Sequence, residues 1–310
     1  IYCVDAFMSS DSQKLAQQMS RELANFEDIA TYLKPQAGEI PKLDGIDVYG
    51  GTLPFNGVIG GDHLIYVDYK QRFDLEARIR QASSEGRWDV VENLRRCQHL
   101  AGIALIDVSG HHATDALLAA MLHQAFLLGA IYELDLFGQI TRRLFENLNT
   151  RFYQSSGAHK YVSMIFGEIS DDARFRFLSA ANPFPLVFSH AHDRFMEVGE
   201  DLRVSFPPLG MLPSLDVTDR HHTSSELGFK AHYQMNEWVL MGRGDLLLLH
   251  TDGLAEHRSE TEDYVPARLE AMLRTVKQES SKTIFDAVIA DMSAFAPPSD
   301  DISLVVIKLT

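Results

Sequence analysis

Short β-type runs arrive in clusters along this chain, and helical stretches arrive in consecutive pairs. The runs GIDVYGGTL, HLIYVDY and AGIALIDVS open the first cluster from Gly45 onward, interrupted by a charged, helical stretch over residues 73–97 (FDLEARIRQASSEGRWDVVENLRRC). Two helices follow, over roughly 113–129 and 134–154. A second cluster then comes with YVSMIFGEIS, RFRFLSAA, PLVFSH and RFMEV, broken at the turn formers Asp171–Asp172 and His192–Asp193. After a turn-rich stretch at 199–236 come WVLMGRGDLLLLHTDG, two more helices near 263–278 and 281–295, and a closing strand, DISLVVIKL. A doubly wound parallel sheet alternates single strands with single helices, so this grouping argues against one. It predicts an α+β fold, in which antiparallel sheets are covered by paired helices.

Ahead of the first strand, residues 8–33 read as one amphipathic helix. Leu15, Met19, Leu23, Phe26, Ile29 and Leu33 recur at steps of three and four, and Pro35 with the Gly38–Pro41 stretch ends it. The expected organisation is therefore a helix and linker over residues 1–36, then one domain over 37–310 with a helical insertion near 71–100. The longest apolar run, Ala116 to Tyr132, contains His123 and Gln124, is shorter than a usual membrane span, and reads as a buried helix. A formal net charge of -15 argues against a surface built to neutralise nucleic-acid phosphates, and against a basic membrane-binding face. Two cysteines far apart, Cys3 and Cys97, provide neither a disulfide framework nor a thiolate zinc site, which suits a reduced cytoplasmic protein. No secretory signal opens the sequence, and a start at Ile1 leaves room for a preceding segment.

Four aspartates share one kind of position, at the edge of an apolar β-run beside a turn former. Asp62 follows Gly60–Gly61 and precedes HLIYVDY. Asp107 ends ALID before Val108–Ser109–Gly110, Asp252 ends LLLLHTD before Gly253, and Asp300 and Asp301 open ISLVVIKL. Each alone is most simply a turn or cap residue. Four at strand ends are another matter, because a β core gathers such ends and clustered carboxylates repel unless a cation neutralises them. All-oxygen ligation suits hard Mg²⁺ or Mn²⁺.

The words around these acids resemble those of a known family. DVSGH at 107–111 with the small-residue helix ATDALLAAM, GGD at 60–62, PLG at 208–210, GDLLLLHTDGLAE at 244–256 and DDISL at 300–304 occur in the order of the SpoIIE/RsbU-like bacterial branch of the PPM-type (type 2C-like) metal-dependent phosphatases. The resemblance implies two antiparallel sheets packed as a sandwich, with helix pairs on the outer faces. It also implies two metal ions, Mn²⁺ or Mg²⁺. Asp107 would bridge them and the Val108 backbone carbonyl would contribute to one, with Asp62 at one metal and Asp252 and Asp300 at the other. Asp301 is the weaker candidate. Such ions lower the pKa of a water that attacks phosphorus directly, and the sequence offers no phosphoenzyme nucleophile, since Cys97 has no arginine six positions later.

Several positions depart from the family pattern. His112 stands where a glycine is usual, Ser179–Ala180–Ala181–Asn182 replaces NAGH, and Ile65 replaces the acid three residues after GGD. None removes a predicted metal aspartate. Other constellations carry less. His111–His112 and His221–His222 are adjacent pairs that point to opposite faces, the Ser189–Asp193 stretch reads as a hairpin tip, and Arg243–Gly244–Asp245 as a tight turn. Arg95–Arg96 and Arg142–Arg143 read as solvated helix faces, and no phosphate-binding glycine loop is present.

The expected activity is hydrolysis of phosphoserine or phosphothreonine on a protein, in this branch often an anti-sigma-factor antagonist of the STAS type, within a cytoplasmic partner switch. An upstream sensor or receiver domain and a homodimer through the first helix are further expectations, with neither nucleic-acid binding nor membrane insertion. The alternatives are a binding module of the same fold with weakened turnover, and hydrolysis of another phosphate ester.

Overall fold

The computed structural model describes residues 10–32, 34, 39–55, 60–110, 113–155, 160–215, 224–239 and 242–310. Cys3, Leu33, Pro35, Gly38, His111, His112, His221 and His222 lie outside the described residues. In chain order the first elements are α1 (Ser10–Thr31), β1 (Ile46–Leu53), β2 (Asp62–Asp68), α2 (Tyr69–Arg72), α3 (Leu75–Ser84), α4 (Trp88–Cys97) and β3 (Leu100–Val108). Next come α5 (Ala113–Phe137), α6 (Arg142–Ser155), β4 (Val162–Ser170), β5 (Phe175–Ala180), β6 (Leu186–Ser189), β7 (Arg194–Phe195) and β8 (Ser205–Phe206). The last are β9 (Asn236–Trp238), β10 (Leu246–His250), α7 (Asp252–Ala255), α8 (Ala267–Val276), α9 (Ser281–Phe295) and β11 (Ile302–Leu309).

These strands build two sheets, ordered β1-β11-β10-β6-β7 and β2-β3-β4-β5-β8, with β9 also pairing β5. Pairing is antiparallel throughout except for the two-residue contact of β5 with β8. The central strands read as continuous apolar runs because both of their faces are covered. In β3, Ala101, Ile103 and Leu105 face the sandwich interior, while Ala104 and Ile106 face the helices. In β11, Val305 and Ile307 point inward, and Ile302, Leu304 and Val306 pack under α8 and α9. Side chains of successive strand residues alternate sides, so one run supplies two cores.

The insertion covers the outer face of the second sheet. Leu75, Ile79, Val90, Val91, Leu94 and Cys97 bury there beside α5 and α6. The helical stretch expected over 73–97 forms two helices, and Gly86 at φ +72° turns the chain between them. The next helix pair also differs from expectation, since α5 runs on to Phe137. A Cβ on Gly129 would collide with the Leu144 side chain, so that glycine serves helix packing rather than a break. The stop comes at Gly138, whose φ of +69° follows the last turn.

The apolar run 116–132 reads in sequence as a buried helix, and in α5 it is buried on one face only. Ala119, Leu122, Phe126, Ala130 and Leu134 enter the core, whereas Leu117, Met121, Leu128, Tyr132 and Leu136 are exposed. Residues Asp115–Phe137 are long and apolar enough to cross a bilayer by length and composition, yet their inner face belongs to the domain core. Helix α1 lies against α5 through the half-buried Phe26 and Ala116. Its remaining apolar stripe, Leu15, Met19, Leu23 and Ile29, is exposed.

Candidate active site

Sheet register sets the first two aspartates side by side. β2 and β3 pair so that Asp62 stands directly opposite Asp107. Antiparallel partners lie about 4.5–5.5 Å apart at Cα. Asp62 is buried, and its Oδ2 accepts a 2.7 Å hydrogen bond from the Thr251 hydroxyl. Thr251 Oγ1 accepts in turn from the Ser303 backbone N–H at 2.9 Å, which ties the first sheet to an acid of the second. The Ser163 hydroxyl donates to Asp107 Oδ2 at 3.3 Å. A Cβ added at Gly61 would sit 2.6 Å from the Val108 carbonyl oxygen, so only glycine lets the GGD turn approach that carbonyl.

The other acids come from the first sheet. Asp252 opens the short helix α7 directly after β10 and Thr251. Asp300 is exposed, and its Oδ1 accepts from the Asp301 N–H at 2.8 Å. Asp301 is different in kind. It is 3% exposed, and its two carboxylate oxygens accept backbone N–H groups from Phe55 and Gly61, each at 2.6 Å. It clamps the GGD turn to the start of β11. A side chain at Gly60 would overlap that carboxylate, and one at Gly253 would overlap the Asp301 carbonyl. Both glycines are therefore required by close approach.

The acids feel one another. Burial, then the charge of Asp107, pushes the Asp62 carboxyl well above the usual carboxylate range, against the pull of the Thr251 hydrogen bond. Asp107 is pushed up to about 7 by burial and then by Asp252, with Asp300 and Asp301 adding to it. Asp252 is raised by burial and by the Asp300 charge. Among the described residues no three His, Cys, Asp or Glu side chains converge closely enough to grip an ion by themselves. The donors expected from the sequence are nonetheless all oxygen, four carboxylates and the Val108 carbonyl, and the acids raise one another's pKa. That combination fits a hard divalent cation better than zinc or copper.

The family model of stage II sporulation protein E (SpoIIE) matches residues 98–310. The chain belongs to the SpoIIE family. No curated protein sequence matches it. Among solved structures, the SiaA-PP2C domain of Pseudomonas aeruginosa is similar at a TM-score of 0.61 and 14% identity, over 96% of this chain and 98% of that one. The PP2C phosphatase domain of Bacillus subtilis SpoIIE, with a fragment of its regulatory domain, gives 0.59 and 14%, over 86% and 64%. The RsbU and RsbW domains of a Mycobacterium tuberculosis protein give 0.59 and 17%, over 87% and 61%. The chain thus spans less than two thirds of the last two chains. The expected sandwich is the PPM phosphatase fold.

The SpoIIE match begins after the insertion, so Asp62 and its glycines lie upstream of it and are joined to it by the β2–β3 register. Of the motif words, PLG braces the start of β4. Leu209 pairs with Val162, and the Gly210 N–H donates to Asn149 Oδ1 at 3.0 Å. Ala181, in the segment that replaces NAGH, takes φ +60°, a conformation that suits glycine. The amide of Asn182 donates to the carbonyls of Pro183 and His250 at 2.9 and 3.0 Å.

Sequence reasoning did not single out Thr251, Ser163 or Lys160. Thr251 was legible as part of the HTDG word, whereas the other two are placed by tertiary contact. Lys160 Nζ donates to the Ser109 carbonyl at 2.6 Å and pairs with the buried Asp115 at 2.6 Å, bracing the loop after Asp107. His63 and His123 also pair unexpectedly, Nε2 to Nδ1 at 2.6 Å, beside a cavity of about 240 Å³ lined by Lys34, Gly60 and Asp62. Burial holds their pKa values down at about 3 and about 4, so both rings are neutral at pH 7. Cys97 donates its thiol to the Gly138 carbonyl, and burial pushes its pKa up, which makes it inert. The Arg243–Asp245 tripeptide is a tight turn, with Asp245 accepting the N–H groups of Gly242 and His190.

Proposed function

We propose that this SpoIIE-family domain hydrolyses phosphoserine or phosphothreonine on a protein, with Mn²⁺ or Mg²⁺ as cofactor. One observation carries the reading: Asp62 stands in register with Asp107, and burial, with the charges of Asp252 and Asp300 from the other sheet, pushes the Asp107 carboxyl up. In this reading Asp62, Asp107, Asp252, Asp300 and the Val108 carbonyl would hold the ions. When bound, such ions supply Lewis acidity and lower the pKa of a water molecule. The chain's own residues do the positioning. Thr251 orients Asp62, Ser163 orients Asp107, and Asp301 sets the turn that presents Asp62. Lys160 holds the 109–110 loop against the start of α5.

The substrate proposed is a phosphorylated STAS-type domain, and the setting a cytoplasmic partner switch. The likeness to the RsbU and RsbW domains of a Mycobacterium tuberculosis protein and to the phosphatase domain of the Bacillus subtilis cell-fate determinant SpoIIE supports that class. The exposed stripe of α1 supports a second proposal, that residues 1–36 form a regulatory or dimer-forming element which transmits from an upstream sensor or receiver domain. An amphipathic helix of this length is marginal unless its apolar face is covered.

A second reading, a binding module with weakened turnover, is favoured by Ala181 and Asn182 standing in the NAGH segment. The test is phosphate release from phosphorylated STAS domains and from small phosphate esters, with Mn²⁺, Mg²⁺, Zn²⁺ or chelator. Turnover that requires Mn²⁺ or Mg²⁺ and exceeds that with Zn²⁺ is expected. Full turnover after exhaustive chelation would sink the metal reading. Binding of the phosphoprotein with no turnover under any metal would select the binding module.

A further inference from the structure

A second polar cavity opens at the opposite end of β3 from Asp107. It has a volume of about 450 Å³ and lies between α4 of the insertion and the edge of the second sheet. Leu100, at its wall, is seven residues from Asp107 along the strand, or roughly 23 Å at about 3.3 Å per residue. It is thus a separate site. Its floor holds Glu168, a carboxylate only 5% exposed. The Tyr69 hydroxyl donates to Glu168 Oε1 at 2.6 Å, and among the described residues no donor reaches Oε2.

The charges around it are unevenly paired. Arg174 is engaged by Asp172 and Glu237, and His99 by Asp171. Arg176 stands opposite Glu168 in the strand register, and Arg96 projects from α4. Among the described residues neither closes an ion pair, although both charges act on Glu168. Burial holds the Glu168 carboxyl above the ordinary range, against the pull of Tyr69, Arg176 and Arg96. The bland account is a cross-strand charge ladder, but a ladder would close the contact between Arg176 and Glu168 instead of leaving a cavity at it.

We propose that this cavity binds a small zwitterion of the amino-acid or dipeptide class. The protonated nitrogen sits on Glu168 Oε2, and the carboxylate meets Arg96 and Arg176. The volume lies within the range of small-molecule pockets, and charge-assisted contacts at both ends fix the orientation. The ligand would lie at the far ends of two elements whose near ends carry the Asp107 loop. One is β3. The other is α5, which α4 holds through Asn93 on the Phe137 carbonyl and Cys97 on that of Gly138.

The proposal stands independently of the metal reading, so its test uses the full chain in chelator. Glycylglycine and L-glutamine are titrated while thermal unfolding is followed, and Mn²⁺ in a separate run serves as a positive control for ligand-induced shifts. A saturable rise of about 4 °C at a hundred times Kd is expected for at least one probe. Glycinamide and N-acetylglycine, each lacking one end, should bind at least tenfold more weakly. Arg96→Ala, on an exposed side chain, and Glu168→Gln, which keeps an acceptor for Tyr69, should each weaken binding at least tenfold. Arg96→Ala decides the matter alone if the second variant does not fold. Absence of a saturable shift with both probes overturns the proposal, as does binding unchanged in Arg96→Ala or equal binding by the one-ended compounds.

Discussion

Asparagine at position 301 would keep the size of the side chain and change what it can accept. The two oxygens of Asp301 each take a backbone N–H at 2.6 Å, from Phe55 and Gly61. An amide can accept one of these and must turn its NH₂ toward the other. The loss is one charge-assisted bond, about 1.5–3 kcal/mol, together with a buried donor left facing a donor. A net cost of about 2–4 kcal/mol follows. For 310 residues at about 2.1 cal/mol/K each, the unfolding entropy near the midpoint is roughly 0.65 kcal/mol/K. Asp301→Asn should therefore lower Tm by about 3–6 °C in chelator and speed amide exchange at Gly61 and Phe55. Asp300→Asn is the control, because that exposed side chain accepts only the neighbouring N–H of Asp301. It should leave Tm within about 1 °C while abolishing metal-dependent turnover, of which Asp301→Asn keeps the larger share. Equal melting temperatures in the two variants, or unchanged protection at Gly61, would refute the clamp.

Asp107→Asn and Asp252→Asn should each abolish phosphate release with the circular dichroism spectrum intact. Asp107 has its folded pKa raised to about 7, so the metal-free fold is most stable when it is protonated and loses stability as pH rises from about 4 through 7. Asp107→Asn should then melt about 3 °C above wild type at pH 8 in chelator, on the order of 2 kcal/mol after sharing the shift among coupled acids, and with no gain at pH 4. A gain at pH 4 equal to that at pH 8 would count against electrostatic repulsion as the cause. Ala181→Gly relieves a left-handed alanine at about 1–2 kcal/mol, less about 0.5–1 for the freer unfolded chain, so Tm should rise by 1–2 °C; a fall would show that the φ is not strained. Deleting residues 1–36 should leave a folded domain with altered particle mass by light scattering or altered basal turnover, and identical values for both would reduce α1 to a flank.

Much of this architecture was legible because its signals are local. The clustered strands, the helix pairs and the four acids at strand edges each need only neighbouring residues to be read, and the order of the motif words did the rest. What escaped depends on contacts distant in sequence. Gly129 reads as a break in isolation, and only the approach of Leu144 explains why the helix continues through it. The exposed half of α5 is as apolar as its buried half, so no periodicity distinguishes them. Asp300 and Asp301 are adjacent and chemically identical. One faces solvent and the other closes on Gly61, 240 positions away, a contact that no local signal reveals.

That same separation orders events in time. Asp62 and Asp107 come into register between neighbouring strands joined through the insertion, and a nascent chain can pair them as soon as β3 has been made. The clamp on their turn comes from Asp301, and β1 finds its partner strand only in β11. At roughly 5–20 residues per second, the roughly 190 residues from Asp107 to Asp301 put about 10–40 seconds between the two events. During that interval the first sheet lacks the strand that joins β1 to β10, and the paired acids stand without the Asp301 clamp. A ribosome-bound chain stalled before β11 would carry Asp62 and Asp107 without the Asp301 clamp on their turn. Activity in the cell would then begin as a single late step, when the final strand docks.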